Sequence, residues 1–446
     1  MRPVSARPLA RLGAVAVTAA AVLLAGVSVP ASAAESDQLW INAPYEKTLG
    51  AGAESATPVE VGLYHDNDNF VVTDGRLTVE VSGIAGVADV TWPANCAPSG
   101  TKAVCDIAEV SAIGGDYSPQ VRLEIRAADG AAVGAHGDIS YAATATGGPQ
   151  GTLKAFSETT TVTVASGPDL VLGGLGPVEG VSPGTESLVP FTVTNQGTEP
   201  AQGFTLGMVA SYGLSYASRY DACAYTETGG DGYAPSAHAR CTFDQVLQPG
   251  DSFTLPEPLR IAVEGHALAE RLDINVQPGG EATDLESEDN YGIVAVNALS
   301  SADFSVRGSK VSGAVGDTVK AAVTFRNNGP GWLGNLGSGD PVAVVDFTVP
   351  EGVTVTGVPV ACQPRTLSGG YHPERLGAPR YVCDMPYWVL EDTVRTFRFS
   401  LRVDTVVPDA KGRVALKPVI SGVGFPHDPK PGNNKGWVTV NPSPAA

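Results

Sequence analysis

Gly52–Val61 reads GAESATPVEV, Gly184–Val193 reads GTESLVPFTV and Gly316–Phe325 reads GDTVKAAVTF, three stretches set 132 residues apart. At that offset Glu54, Ser55 and Pro58 fall on Glu186, Ser187 and Pro190, so the chain is built from repeats. SDQLWI, GPDLVL and SADFSV place Asp37, Asp169 and Asp303 at the head of the three copies. The last two copies also end alike. Asp284, Asn290, Gly292, Val294, Val296 and Asn297 in DLESEDNYGIVAVN correspond to Asp428, Asn434, Gly436, Val438, Val440 and Asn441 in DPKPGNNKGWVTVN.

Between these landmarks the hydrophobic period is two. VPFTVTNQG, AAVTFRNNG, LRIAV, FRFSLRV and WVTVN alternate apolar with polar or small residues, as strands with one buried face require. GHALAERL from Gly265 hints at a helix, but its counterpart VVPDAKGRV does not, so a turn is expected there. With 53 glycines, 34 prolines and 17% charged residues, the composition suits short strands and turns. About seven strands in each copy of about 130 residues is the pattern of an immunoglobulin-like sandwich. The expectation is an all-β chain of three tandem immunoglobulin-like β-sandwich domains, at 35–166, 167–299 and 300–446, the first divergent. Pro58 and Pro190 interrupt good strands and mark an edge or a bulge. The junctions near Val164 and Val296 are short, which predicts a rod with limited bending.

The N-terminus carries Arg2, Arg7 and Arg11, an apolar run from Leu12 to Val27, and Ala31-Ser32-Ala33 as a small-residue cleavage site. Residues 1–33 therefore read as a secretory signal peptide. LAGV at Leu24–Val27 has no following cysteine for lipidation, and no second apolar run nears the roughly 20 residues of a membrane span. The exported chain would hold 47 acidic against 25 basic residues, a charge of −22, since the leader removes three of the 28 basic residues. That charge excludes nucleic acid as a partner. A secreted, extracellular location is expected, with non-covalent association with the cell wall as a further option.

Each copy holds two of the six cysteines: Cys96 and Cys105, Cys223 and Cys241, Cys362 and Cys383. Export to an oxidising space and the repeat together predict one local disulfide per copy. The chain has no CxxC and no clustered histidines, which argues against zinc.

Catalytic signals are sparse. Gly180-Val181-Ser182-Pro183-Gly184 satisfies G-x-S-x-G, but Pro183 and a period-two strand follow where a nucleophile elbow needs a helix. The six histidines are scattered, and solvated or turn positions are expected for them. Two oxygen-rich stretches are calcium candidates: Asp66 and Asp68 in YHDNDNF (64–70), and Asp284, Glu286 and Asp289 in the acidic loop of the second copy. Turn chemistry is the more economical reading of both. Trp332, in the glycine-rich NNGPGWLGNLGSG, and Tyr212 and Tyr216, ahead of Cys223, are candidates for a ligand-binding aromatic platform. Trp437, beside Val438 and Val440, is expected in core or edge packing.

The opening ADFSV, the GDTVKAAVTFRNNGPG block, the run VPEGVTVTGVPVAC and the closing NN before a valine-rich strand resemble the Ig-like conserved repeats of bacterial secreted and surface proteins, the CARDB type, over residues 168–442. The first copy lacks the NxG turn and the D-x4-[DN]-N ending, so its membership rests on internal similarity. The resemblance implies a non-catalytic protein without cofactors, acting as an extracellular scaffold, spacer or interaction module toward another protein or a cell-envelope glycan. The alternative is a glycan- or calcium-binding module that uses the loop aromatics or the acidic turns.

Overall fold

The structure, a computed structural model, describes residues 35–53, 56–113, 118–230, 233–280, 282–419 and 425–443. The expected signal peptide, and Glu54 and Ser55 of the first repeat, lie outside the described residues. Apart from two 3-10 turns, all regular elements among the described residues are strands. They enclose three hydrophobic cores. The first is drawn from residues between Leu39 and Val164, the second from Leu170 to Val296, and the third from Ala302 to Val440 together with Leu268 of the preceding repeat. The chain is a tandem array of immunoglobulin-like β-sandwiches.

Each sandwich closes in the same way, by a parallel pairing of an early strand with the last one. Glu46–Gly50 runs beside Glu158–Ala165, Val178–Val181 beside Tyr291–Ala298, and Lys310–Val311 beside Lys435–Val440. The expected turn at Gly265 is present, and the strand Ala269–Pro278 follows it. Pro190 splits its strand between two sheets. Glu186–Val189 pairs with Leu259–Val263, whereas Thr192–Asn195 pairs with Leu170–Gly173 and Ser252–Phe253. Proline has no N–H to carry the ladder through, and the third repeat, with Ala322 at this offset, runs unbroken over Thr318–Pro330. Pro58 sits at the start of Thr57–His65, opposite Glu124, where a missing donor costs least.

Disulfides link Cys96 to Cys105, Cys223 to Cys241 and Cys362 to Cys383. In each case the two cysteines are directly opposite on neighbouring antiparallel strands. The bridges therefore staple hairpins within one layer rather than tying the two layers together. Cys362 and Cys383 are both fully buried, whereas Cys96 and Cys223 are partly exposed. Since thiol–disulfide exchange needs access to sulfur, mild reduction of the native protein should open the first two bridges before Cys362–Cys383. Timed alkylation and peptide mapping will read that order, and early loss of the third bridge would contradict the packing.

In the third domain, Asp346 of Val344–Thr348, on the strand face opposite the core residues Val345 and Phe347, is buried among charges of opposite sign. Arg380 donates Nε and Nη2 to its two oxygens, both at 2.7 Å, and Lys417 Nζ lies 2.5 Å away. Burial works against ionisation, but the Arg380 and Lys417 bonds outweigh it and hold the carboxyl below its usual range. A depressed folded value stabilises the fold above the unfolded carboxyl range and loses that contribution as pH falls through it. D346N should therefore destabilise the protein by about 3 kcal/mol at pH 7. The gap from wild type should narrow in denaturant titrations as pH falls through and below the usual carboxyl range, where the wild-type carboxylate becomes protonated as well.

Candidate metal centre at the junction of the first two domains

Asp169 precedes the strand Leu170–Gly173, and the acidic loop 284–290 precedes Tyr291–Ala298. Backbone bonds hold the two together. Leu285 N donates to Pro168 O at 3.0 Å, and Leu172 N to Asp289 O at 3.1 Å. Asp284 clamps the loop, its Oδ2 accepting from Leu170 N at 2.9 Å and its Oδ1 from Glu286 N at 3.2 Å. Asp169 is fixed from the other side, its N–H donating to Asn195 Oδ1 and its carbonyl accepting from Gln196 N. One carboxylate oxygen from each of Asp169, Asp284 and Asp289 then lies within 4.8 Å of the others. Asp169 Oδ1 and Asp289 Oδ1 are occluded from solvent and accept no hydrogen bond, and the same holds for Oδ1 of Asn290, which is 6% exposed. The Asn290 side chain bonds Asp284.

Lys47, on the first domain's strand Glu46–Gly50, reaches across the junction to Glu286 Oε2 at 3.0 Å and Glu288 Oε2 at 2.8 Å. Together these residues line a cleft of about 560 Å³ between the two domains, with Gly50, Pro58 and Gln196. Lys47 is the cation bonded to this group among the described residues, and it serves the two glutamates rather than the three aspartates. Burial, and then the charges of Asp169, Asp284 and Glu286, push the Asp289 carboxyl up to about 8. Asp169 is raised by burial and by Asp284, and Asp284 is raised by burial.

The repeats supply an internal comparison. In the third domain Asp303 stands at the position of Asp169, and Lys430 and Asn433 stand where the second has Glu286 and Asp289. Lys430 Nζ lies 3.0 Å from Asp303 Oδ2, and Asn433 Nδ2 donates to Oδ1 at 2.7 Å. Asp428 likewise holds its own loop, accepting from Lys430 N and Asn434 Nδ2. Burial opposes ionisation of Asp303, yet the Asn433 and Lys430 bonds prevail and hold its carboxyl below the usual range. Asn433 and Asn434 also bury amide oxygens without partners. Those are neutral, whereas two of the three such oxygens in the second domain belong to carboxylates. In the first domain Asp37 meets His65 Nδ1 at 2.9 Å and accepts from Asp66 N and Asn67 N.

That last contact accounts for YHDNDNF. His65, opposite Leu39 and 2% exposed, is a buried partner of Asp37 rather than the solvated or turn histidine expected from sequence. Asp66 accepts from Trp40 Nε1 at 2.6 Å, and Asn67 Oδ1 caps Asn69 N at 3.0 Å. Asp66 and Asp68 lie outside the three-carboxylate group. Of the acidic-loop candidates, Asp284 and Asp289 join that group and Glu286 is taken by Lys47. Asp169 was not among the sequence candidates. It is 115 residues before Asp284, and the available signal was its place at the head of the repeat combined with the exchange of Glu286 and Asp289 for Lys430 and Asn433.

The aromatic platform is not formed. Trp332, one of the platform candidates, is 1% exposed because the second domain covers it. Its Nε1 donates at 2.5 Å to Glu270 Oε1, and its N–H to His266 O at 3.0 Å. Glu270 is itself buried, and Leu268 N, Gly213 N and the Ser211 hydroxyl complete its donors. Gly213 has to be glycine, since a Cβ there would stand 2.3 Å from Glu270 Oε1. Tyr212 stacks on His266 with centroids 4.0 Å apart and donates to Glu391 Oε1 of the third domain at 3.1 Å. Tyr216 is buried in the second core. Trp437, by contrast, is 52% exposed, a face of the last strand rather than core. Ser182 of the G-x-S-x-G stretch follows the strand Val178–Val181 in a turn that leads to Glu186–Val189, so no helix follows it.

No protein-family model matches the chain, and no curated protein matches it. Among solved structures, Dpr2 Ig1-Ig2 in complex with DIP-Theta Ig1-Ig3 is 9% identical, covering 92% of this chain and 100% of that one at a TM-score of 0.25. A putative membrane anchored protein from Corynebacterium diphtheriae is 10% identical over 91% of this chain and 92% of its own, at a TM-score of 0.19. The C-terminal domain of the Streptococcus agalactiae AgI/II polypeptide BspA is 10% identical over 61% and 99%, at 0.20. Scores this low carry no argument about arrangement or role.

W332F keeps the buried ring but removes the donor to Glu270, leaving one carboxylate oxygen short of a partner. It should lower stability by about 1–3 kcal/mol in denaturant titrations. W332A, which also opens a cavity, should cost about 3–5 kcal/mol. Equal and negligible effects would remove Trp332 from the junction.

Proposed function

We propose that this is a secreted, non-catalytic modular protein that acts as an extracellular spacer or interaction scaffold, of the kind its CARDB-like repeats imply. The observation that carries this reading is the packed junction between the second and third domains. Leu268 of the second domain lies in the third core, Trp332 of the third is buried against the second, and Arg271 Nη1 and Ala234 N bond Leu336 O and the Tyr387 hydroxyl across it. A spacer needs a fixed span, and buried contacts provide one where a flexible linker would not. Hairpin disulfides in all three domains suit an oxidising exterior. Among the described residues no helix is long and apolar enough to cross a membrane. The exported chain is read as residues 34–446, and its partner as another protein or a cell-envelope glycan. Burial of Trp332 and Tyr216 takes the aromatic platform away from the glycan-binding alternative.

Small-angle X-ray scattering of the exported chain tests this. The second and third domains should scatter as one elongated rigid body, and W332A should broaden the distribution toward a bent ensemble. A wild-type chain whose domains already reorient freely would overturn the spacer reading. Pull-downs against envelope polymers and culture proteins would then identify the partner.

A further inference from the structure

We propose that Asp169, Asp284 and Asp289, with the side-chain oxygen of Asn290, bind one divalent cation, calcium, at the junction of the first and second domains. This goes beyond the spacer reading and does not depend on it.

The geometry carries the proposal. Two oxygens on opposite sides of a calcium ion, each at about 2.4 Å, are separated by about 4.8 Å. One oxygen from each of the three aspartates lies within that limit of the others. The donor set is all oxygen, carboxylate and amide, which suits a hard cation and not zinc or copper. Three carboxylates offering six oxygens, several of them already turned from solvent, favour calcium, which accepts six to eight ligands in variable geometry, over magnesium, which demands a near-ideal octahedron and retains its waters.

The second observation comes from outside the cluster. The same fold position in the third domain is met by a cation that belongs to the chain, the Lys430 ammonium on Asp303, with Asn433 replacing one carboxylate. In the first domain it is met by His65 on Asp37. In the second domain alone, the corresponding residues are Glu286 and Asp289, so the position gains two acids where its counterpart gains a base. Asp169, Asp284, Glu286, Glu288 and Asp289 bring five carboxylates together, and Lys47 answers one of them in charge. Buried carboxylate oxygens without donors, such as Asp169 Oδ1 and Asp289 Oδ1, are what a metal ion would satisfy. The acidic loop is also the one that Lys47 grips, so an ion that fixes residues 284–290 fixes the footing of the first domain on the second.

The test uses the exported chain, stripped with chelator and exchanged into buffer at pH 7.5. Titration calorimetry with calcium chloride should report one site per chain with a Kd of about 10⁻⁴ M or tighter. Millimolar calcium should raise Tm by about 5 °C. D169N/D289N should abolish both signals. E286K/D289N copies the third domain's solution and is made with K47Q, so that two ammonium groups do not face each other. It should stay folded, melt no lower than the metal-free parent and ignore calcium. D66N/D68N, in the YHDNDNF turn, should keep the full calcium response. The proposal is overturned if calcium gives neither heat nor a Tm shift, if magnesium at the same concentration gives the larger response, if the lysine variant still responds, or if the response disappears with D66N/D68N.

Discussion

A carboxylate placed at the head of a sandwich's first strand and turned toward a loop needs a counter-charge or a set of donors. The repeat puts one there three times, at Asp37, Asp169 and Asp303, and the local structure follows from how each is answered. His65 ends its strand facing Asp37 and sets the turn that follows. Lys430 and Asn433 draw the last loop of the third domain onto Asp303. In the second domain the loop carries acids instead, and Lys47 from the neighbouring domain reaches in. One constraint thus becomes a turn, a loop anchor and a domain junction in succession.

The junction between the second and third domains solves a similar problem with donors alone. Glu270 has no cationic partner among the described residues, yet four donors surround its two oxygens, and one of them is the indole of the next domain. A buried carboxylate satisfied in this way is intolerant of losing any donor. The domain interface is therefore written into the polar interior of the second domain as well as into apolar contact.

The repeat offset, the period-two runs and the paired cysteines made the sandwich class and the local bridges legible, because all three are short-range properties of the chain. Pro190 was readable as an interruption, but the transfer of its strand from one sheet to the other was not, since that depends on which partner strands stand on either side. Trp332 was misread for a related reason. Its flanking glycines describe a loop within its own repeat, and the groups that meet it come from Glu270, Tyr212 and His266 of the repeat before. Asp169 and Asp289 are 120 residues apart, and no local pattern joins them. Asn195 and Asn327 open the NxG turns and accept from Gly197 N and Gly329 N as turn residues do, but both are also fully buried, and each donates to backbone carbonyls from two directions.

The parallel pairing that closes each sandwich has a mechanical meaning. When a chain of such domains is drawn out by its ends, the two strands of that parallel pair, one near the start of the domain and one at its end, are pulled in opposite directions along their length. The hydrogen bonds between them are loaded together, in shear, instead of one at a time as in an opening zipper. The ladder joins five residue pairs in the first domain, three in the second and two in the third. Resistance to tension should be graded along the chain, greatest in the first domain and least in the third. The hairpin disulfides, which leave this seam unbridged, would not shield it from the load.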